Sequence, residues 1–130
     1  MSFALSPEAA MWRDRAHAFV TSELQPLEVE AEMNEGRIPP KLRKRHEKLA
    51  IEAGFARMDT PLGLGGLALP LLTQVAIVEQ FGRVTNALGW CYGEAQSWMF
   101  EACNAAQVQR YILPITRGDL HLCYAITEED

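Results

Sequence analysis

The chain has 130 residues, 48% hydrophobic and 22% charged, which suits one soluble domain and argues against disorder. Seventeen acidic against 12 basic residues leave a formal charge of -5, so nucleic acid, which needs a net basic face, is not an expected partner. Cys91, Cys103 and Cys123 are odd in number and form no C-x-x-C pair, which fits a reduced, cytoplasmic compartment better than a disulfide framework.

The N-terminus, MSFALSPEAA, has no basic region leading into a long apolar core, so no signal peptide is expected. Ser6-Pro7-Glu8 reads as an N-cap, a first-turn proline and an acid at the positive end of a helix. Met11, Ala16, Phe19, Val20, Leu24 and Leu27 then recur at roughly helical spacing, as one buried stripe requires, and Pro26 should bend or end the helix. NEGRIPP is a break. From Pro40, PKLRKRHEKLAIEAG reads as a second helix with Leu42, His46, Leu49 and Ala50 inward and Gly54 as its stop.

DTPLGLGG is a tight loop. Pro70 opens a third helix in which Leu71, Leu72, Val75, Ala76, Val78 and Phe81 are expected to be mostly buried, ending near Gly82. Leu67 to Val78, the longest apolar stretch, is too short and interrupted to span a bilayer. Ala87 to Cys103 is apolar nearly all round and should form a central helix of a bundle. Asn104 is a plausible N-cap for a short helix closed by Pro114 and Gly118. Leu120, Leu122, Tyr124 and Ile126 then alternate with His121, Cys123, Ala125 and Thr127, the period of two of a half-buried strand. One strand cannot satisfy its own backbone, so this pattern poses a question.

Four local patterns bear on chemistry. GLGGLA, Gly63 to Ala68, has the form G-x-G-x-x-[GA], but no buried strand precedes it and no acid lies about 20 residues on, so a flexible loop is the better reading. KLRKRHEK, Lys41 to Lys48, is either a solvated helix face or a contact for a phosphate-bearing ligand or acidic partner. His17, His46 and His121 have no metal-ligand spacing, and no metal site is expected. Trp90, Tyr92, Trp98, Met99 and Phe100 are either core or the lining of a pocket for a flat or fatty ligand. Glu128, Glu129 and Asp130 are a carboxylate cluster or a solvated end.

The last eight residues, CYAITEED, resemble the flavin-contacting strand of the acyl-CoA dehydrogenase family, aromatic-x-x-T-E-P. FVTSELQPLEVE is similar to the family's long first helix, AIEAGF to the end of its second, PLGLGG to its P-x-x-x-G-G loop, and VQRYILPITRGDLHLCYAITE to its helix-to-strand passage. Each motif is weak alone; they occur in the family's order along nearly the whole chain.

The resemblance implies an all-α N-terminal helical (orthogonal or up-down) bundle over residues 1–118, with residues 119–130 starting a truncated middle β-domain. The strand's partners would then lie beyond residue 130. It implies FAD as cofactor, with Tyr124, Ala125, Ile126 and Thr127 at the flavin, and an acyl-CoA pocket walled by Trp90, Cys91, Glu94 and Trp98. The implied chemistry is α,β-dehydrogenation of an acyl-CoA thioester to the trans-2-enoyl-CoA. A carboxylate removes the α-proton and hydride passes to flavin N5; the carboxylate belongs to the family's C-terminal domain, so no catalytic residue falls within the 130. Implied partners are further copies (a dimer or tetramer) and electron-transfer flavoprotein or a similar acceptor.

Two departures stand out: Glu129 occupies the usual proline position, and the A-G-S-D turn is missing. The same fold serves flavin oxidases and monooxygenases. A non-catalytic helical subunit paired with a catalytic homologue is the reading of a different class.

Overall fold

A computed structural model describes residues 4–89, 91, 95, 97–123 and 127. Every regular element among them is helical, as the all-α reading expects. The first, α1 (Pro7–Phe19), starts where Ser6 caps it: the Ser6 hydroxyl accepts from the Ala9 amide at 3.1 Å, and Pro7 occupies a first-turn position where its missing N–H costs nothing. Pro26 cannot donate to the carbonyl four residues back and would crowd it. The helix absorbs the conflict by widening to a π turn over Val20–Leu24, then tightening to 3₁₀ over Gln25–Leu27, before α2 (Glu28–Met33) resumes.

Helix α3 (Pro40–Glu52) ends at Gly54, whose φ of 92° lies in the left-handed region that glycine enters without Cβ strain. A loop closed by two 3₁₀ turns (Phe55–Arg57 and Leu62–Leu64) leads to α4 (Leu71–Phe81), which packs along α1. After α5 (Asn86–Gly89) and α6 (Ser97–Ala102), Asn104 opens α7 (Ala105–Gln107) with a reciprocal capping box to Gln107. A second π turn, Val108–Ile112, precedes Pro114, which sits at the start of α8 (Leu113–Thr116) rather than closing the helix; Gly118, at φ 78°, follows its end. Pro26 and Pro114 are thus handled by the same device, each two residues past a π turn.

The larger core gathers Trp12, Ala16, Val20, Leu24, Phe55, Ile77, Phe81 and Leu88. Phe55 is its hub, with ring centroids 5.2 Å from Phe81, 5.5 Å from Phe19 and 6.4 Å from Trp12, all three in edge-to-face arrangements. A smaller cluster joins Ala95, Ile112 and Ile115 to the partly buried Met99, Phe100, Cys103, Val108 and Leu122.

Four expectations need correction. Met11 is exposed and Trp12 takes the buried position on α1. On α4 the buried side is Thr73, Ala76, Ile77, Gln80 and Phe81, whereas Leu71 (74%), Leu72 (59%), Val75 (55%) and Val78 (44%) face outward. An apolar helix does not specify its inner face by periodicity, and here the small Ala76 and Thr73 allow close approach to α1. The stretch Ala87 to Cys103 is not one central helix: α5 and α6 are separated by non-helical Cys91 and Ala95, and Trp98 is 57% exposed. Finally, of the expected strand Leu120 to Thr127, residues 120–123 and 127 are described, and none is in a strand, because no second strand stands among the described residues to share a ladder. The alternation survives in part: Leu122 is turned in, His121 and Cys123 out.

Candidate functional site

The C-terminal segment is placed by the end of α8. The amides of Asp119 and Leu120 both donate to the Pro114 carbonyl, at 2.9 and 3.3 Å, and Leu122 packs on the smaller cluster. Of the four residues expected at a flavin, Tyr124, Ala125 and Ile126 lie outside the described residues. Thr127 is exposed. Trp98, Tyr111 and Leu120 are the exposed large apolar side chains after α4 among the described residues.

Of the four residues expected to wall an acyl pocket, the two described ones, Cys91 and Trp98, face different surroundings. Trp90 and Glu94 lie outside the described residues. Cys91 belongs to the larger core, and burial pushes its thiol up to about 12, which makes it inert as a nucleophile. Trp98 projects outward from α6.

The glycine loop proves to be self-contained. Six consecutive amides donate within it: Leu64 and Gly66 to Pro61, Gly65 to Leu62, Leu67 to Arg57, Ala68 to Thr60 and Leu69 to Met58, the last at 2.7 Å. None of these amides is left to cradle a phosphate, so the loop reading holds. A Cβ on Gly66 would stand 1.9 Å from the Thr60 carbonyl oxygen, which is why the position takes no side chain. Beside it, Thr60 Oγ1, Asp59 Oδ1 and Arg57 Nε are buried without partners among the described residues, and burial raises the Asp59 carboxyl.

The basic run divides among three surroundings. Arg45 pairs with Glu23 at 2.6 Å and so ties α3 to the first π turn. Lys44 and Lys48 enter a cleft of about 520 Å³ between α3 and the turn after α8, with Ile51, Arg117, Asp119 and His121 also lining it. Lys41 and Arg43 are exposed. The cleft also takes Glu47 and Glu52, and its cations are offset by pairs such as Arg117–Asp119 at 3.3 Å and the longer Lys48–Glu52 at 3.8 Å. Its walls are more than 60 residues apart in the chain, so no local motif could announce it.

His46, in the same run, is fully buried with neither ring nitrogen partnered; burial lowers its pKa, Arg45 adds to the effect and Glu23 opposes it. Among the described residues no group of three His, Cys, Asp or Glu could hold a metal, and no helix is long and apolar enough to cross a membrane.

Comparison with known proteins sets these features in a frame. Residues 6–119 match the family model "Acyl-CoA dehydrogenase, N-terminal domain". A solved structure described as "Electron transferring flavoprotein of Acidaminococcus fermentans: Towards a mechanism of flavin-based electron bifurcation" is similar at 26% identity with a TM-score of 0.71; the match covers 91% of this chain and 31% of that one. No curated protein sequence matches. With nearly all of the helical bundle inside the family match, this chain belongs to the acyl-CoA dehydrogenase family, through its N-terminal domain.

Proposed function

We propose that the chain is the N-terminal part of an FAD-dependent enzyme that oxidises acyl-CoA thioesters to trans-2-enoyl-CoA. The observation that carries the reading is the family match over residues 6–119, to which the flavin-strand motif CYAITE adds. Residues 119–130 then begin a middle domain, and the chain spans 31% of the similar solved structure. In this reading bound FAD accepts the hydride. Thr127 and its strand neighbours Tyr124, Ala125 and Ile126 meet the ring, with the threonine hydroxyl donating to its polar edge. Trp90 and Glu94 wall the acyl chain in this reading, whereas Cys91, packed in the larger core, and Trp98, exposed on α6, face other surroundings. The carboxylate base comes from sequence after Asp130. The likeness to a structure described as an electron transferring flavoprotein supports a protein acceptor of that kind for the electrons.

The test starts from size. The reading requires a parent polypeptide longer than 14.5 kDa. Immunoblotting of source cells should show it, and the purified parent should carry FAD that is bleached anaerobically by an acyl-CoA. The 130-residue chain alone should reduce no acceptor. A sole band at the short length overturns the reading and favours the non-catalytic helical subunit, for which the outward apolar side of α4 is the supporting feature.

A further inference from the structure

Two incompatible bonds converge on His17 Nδ1. The nitrogen lies 3.1 Å from Gln80 Oε1, an acceptor, and 2.9 Å from Arg83 Nη1, a donor. A ring nitrogen carries either a hydrogen or a lone pair, so a neutral His17 satisfies Gln80 or Arg83 but not both. Turning the Gln80 amide round changes nothing, because two donors would then compete for one lone pair. Gln80 is buried on α4, whereas His17 on α1 and Arg83 just beyond α4 are exposed.

Protonation settles the conflict in favour of Gln80, since an imidazolium can only donate. It also sets two cations side by side. Among the described residues no carboxylate offsets them: Arg13 holds Asp14 of α1 at 2.7 Å, Arg45 holds Glu23 of the π turn at 2.6 Å, and Glu79 of α4 makes no ion pair with Arg83. Arg83 Nη1 also lies 3.5 Å from the Thr21 hydroxyl, in the same π turn. With Nη1 anchored there, the Nε and Nη2 hydrogens remain as the planar fork that grips two oxygens of an anion.

We propose that Arg83, Thr21 and His17 form a binding site for a phosphate group, free or at the end of a small molecule. The Arg83 fork takes two phosphate oxygens and the Thr21 hydroxyl donates to the anion, while the His17 imidazolium supplies a second positive charge beside the dianion. Filling the site and protonating His17 favour one another, because an anion at this distance stabilises the charged ring. The site therefore takes up a proton as it fills, and it holds its ligand more tightly as pH falls. Arg83 and Thr21 lie 62 residues apart in the chain, so no local motif marks the place. The inference does not rest on the flavin reading, since none of these residues belongs to it.

Sulfate, a dianion at every pH used, tests this on the 130-residue chain by NMR of the Arg83 Nε–H and the His17 ring. Both signals should shift together and saturate, with a Kd of about 1 mM at pH 6.5. Binding at pH 8 should be at least about fivefold weaker, because the imidazole has lost its charge there. Arg83→Gln should weaken binding at least about tenfold, and His17→Gln should abolish the pH dependence, with helical circular dichroism unchanged in both. Lys44→Gln, in the cleft beside α3, should change nothing. If Arg83→Gln loses helical signal, Arg83→Lys, which keeps the charge but not the fork, should still weaken binding at least about threefold. Inorganic phosphate and glycerol phosphate then distinguish the free ion from an ester by which of them binds more tightly. Shifts that never saturate overturn the proposal. So does binding indifferent to pH, or binding that survives Arg83→Gln and is lost in Lys44→Gln.

Discussion

Both carboxylate oxygens of Glu28 stand 3.0 Å from the amide nitrogen of Thr85, 57 residues further along the chain. Thr85 is the residue before α5, and its carbonyl accepts from Leu88 and Gly89. One side chain on α2 thus fixes where the chain leaves the α1–α4 pair. The carboxylate is half-buried and the bond is charge-assisted. Glu28→Ala should cost about 1.5–3 kcal/mol and Glu28→Gln about half of that, read as a change in urea midpoint without a change in slope.

His46 should make the fold acid-sensitive. Its folded pKa lies below the ordinary value of 6.5, so the unfolded chain takes up the proton first. Stability is therefore fully present above about pH 6.5 and is lost as pH falls from there through the lower folded value. His46→Leu removes two unpartnered buried nitrogens and should stabilise by about 1 kcal/mol at neutral pH. The wild-type minus variant difference, measured by urea unfolding from pH 7.5 to 5, should grow downward from about 6.5; a constant difference would assign no proton linkage to His46.

Adjacent glycines in the loop should respond unequally. At Gly65 a Cβ meets open space, and only the φ of 79° is strained, so Gly65→Ala should cost about 1–2 kcal/mol. At Gly66 the Cβ collides with the Thr60 backbone, and the loop's closing hydrogen bonds must open. Gly66→Ala should cost more than about 3 kcal/mol, seen as the larger drop in thermal midpoint of the pair.

Thr127 can be tested in a parent polypeptide that carries FAD. Thr127→Val keeps the branched shape and deletes one donor. A bond to a developing anion is worth about 1.5–3 kcal/mol, and more of it is lost by the reduced flavin than by the oxidised one. The midpoint potential should fall by a few tens of millivolts, at about 30 mV per 1.4 kcal/mol. An unchanged potential at full FAD occupancy would make Thr127 a strand residue only.

Capping chemistry was the most legible part of the sequence. Ser6, Asn104 and Gly54 act where their residue types suggest, because a cap is decided by neighbours three or four residues away. The inner face of α4 was not legible. Leu71 and Ile77 are equally apolar, and the choice between them belongs to α1, a partner 60 residues distant. The aromatic run after Ala87 misled for the same reason: Trp98 suits a core by composition, yet the larger core is already closed by Phe55 and Phe81. The residues proposed for flavin contact rest only on likeness to a family, since an exposed threonine has no local signature of its own.

The two π turns make the bundle sensitive to chain length in a way that side-chain chemistry does not reveal. Each holds one residue more than an α turn would use, so everything downstream is rotated by about 100° from an uninterrupted helix. Deleting one residue between 108 and 112 would restore ordinary helical geometry and swing Ile115 and Thr116 away from the positions they now bury. Deleting one between 20 and 24 would do the same to Ala31, and would misaim Glu28 at Thr85. Insertions and deletions at these ten positions should therefore be tolerated far less well than substitutions there, and each proline fixes the reading frame of the helix around it.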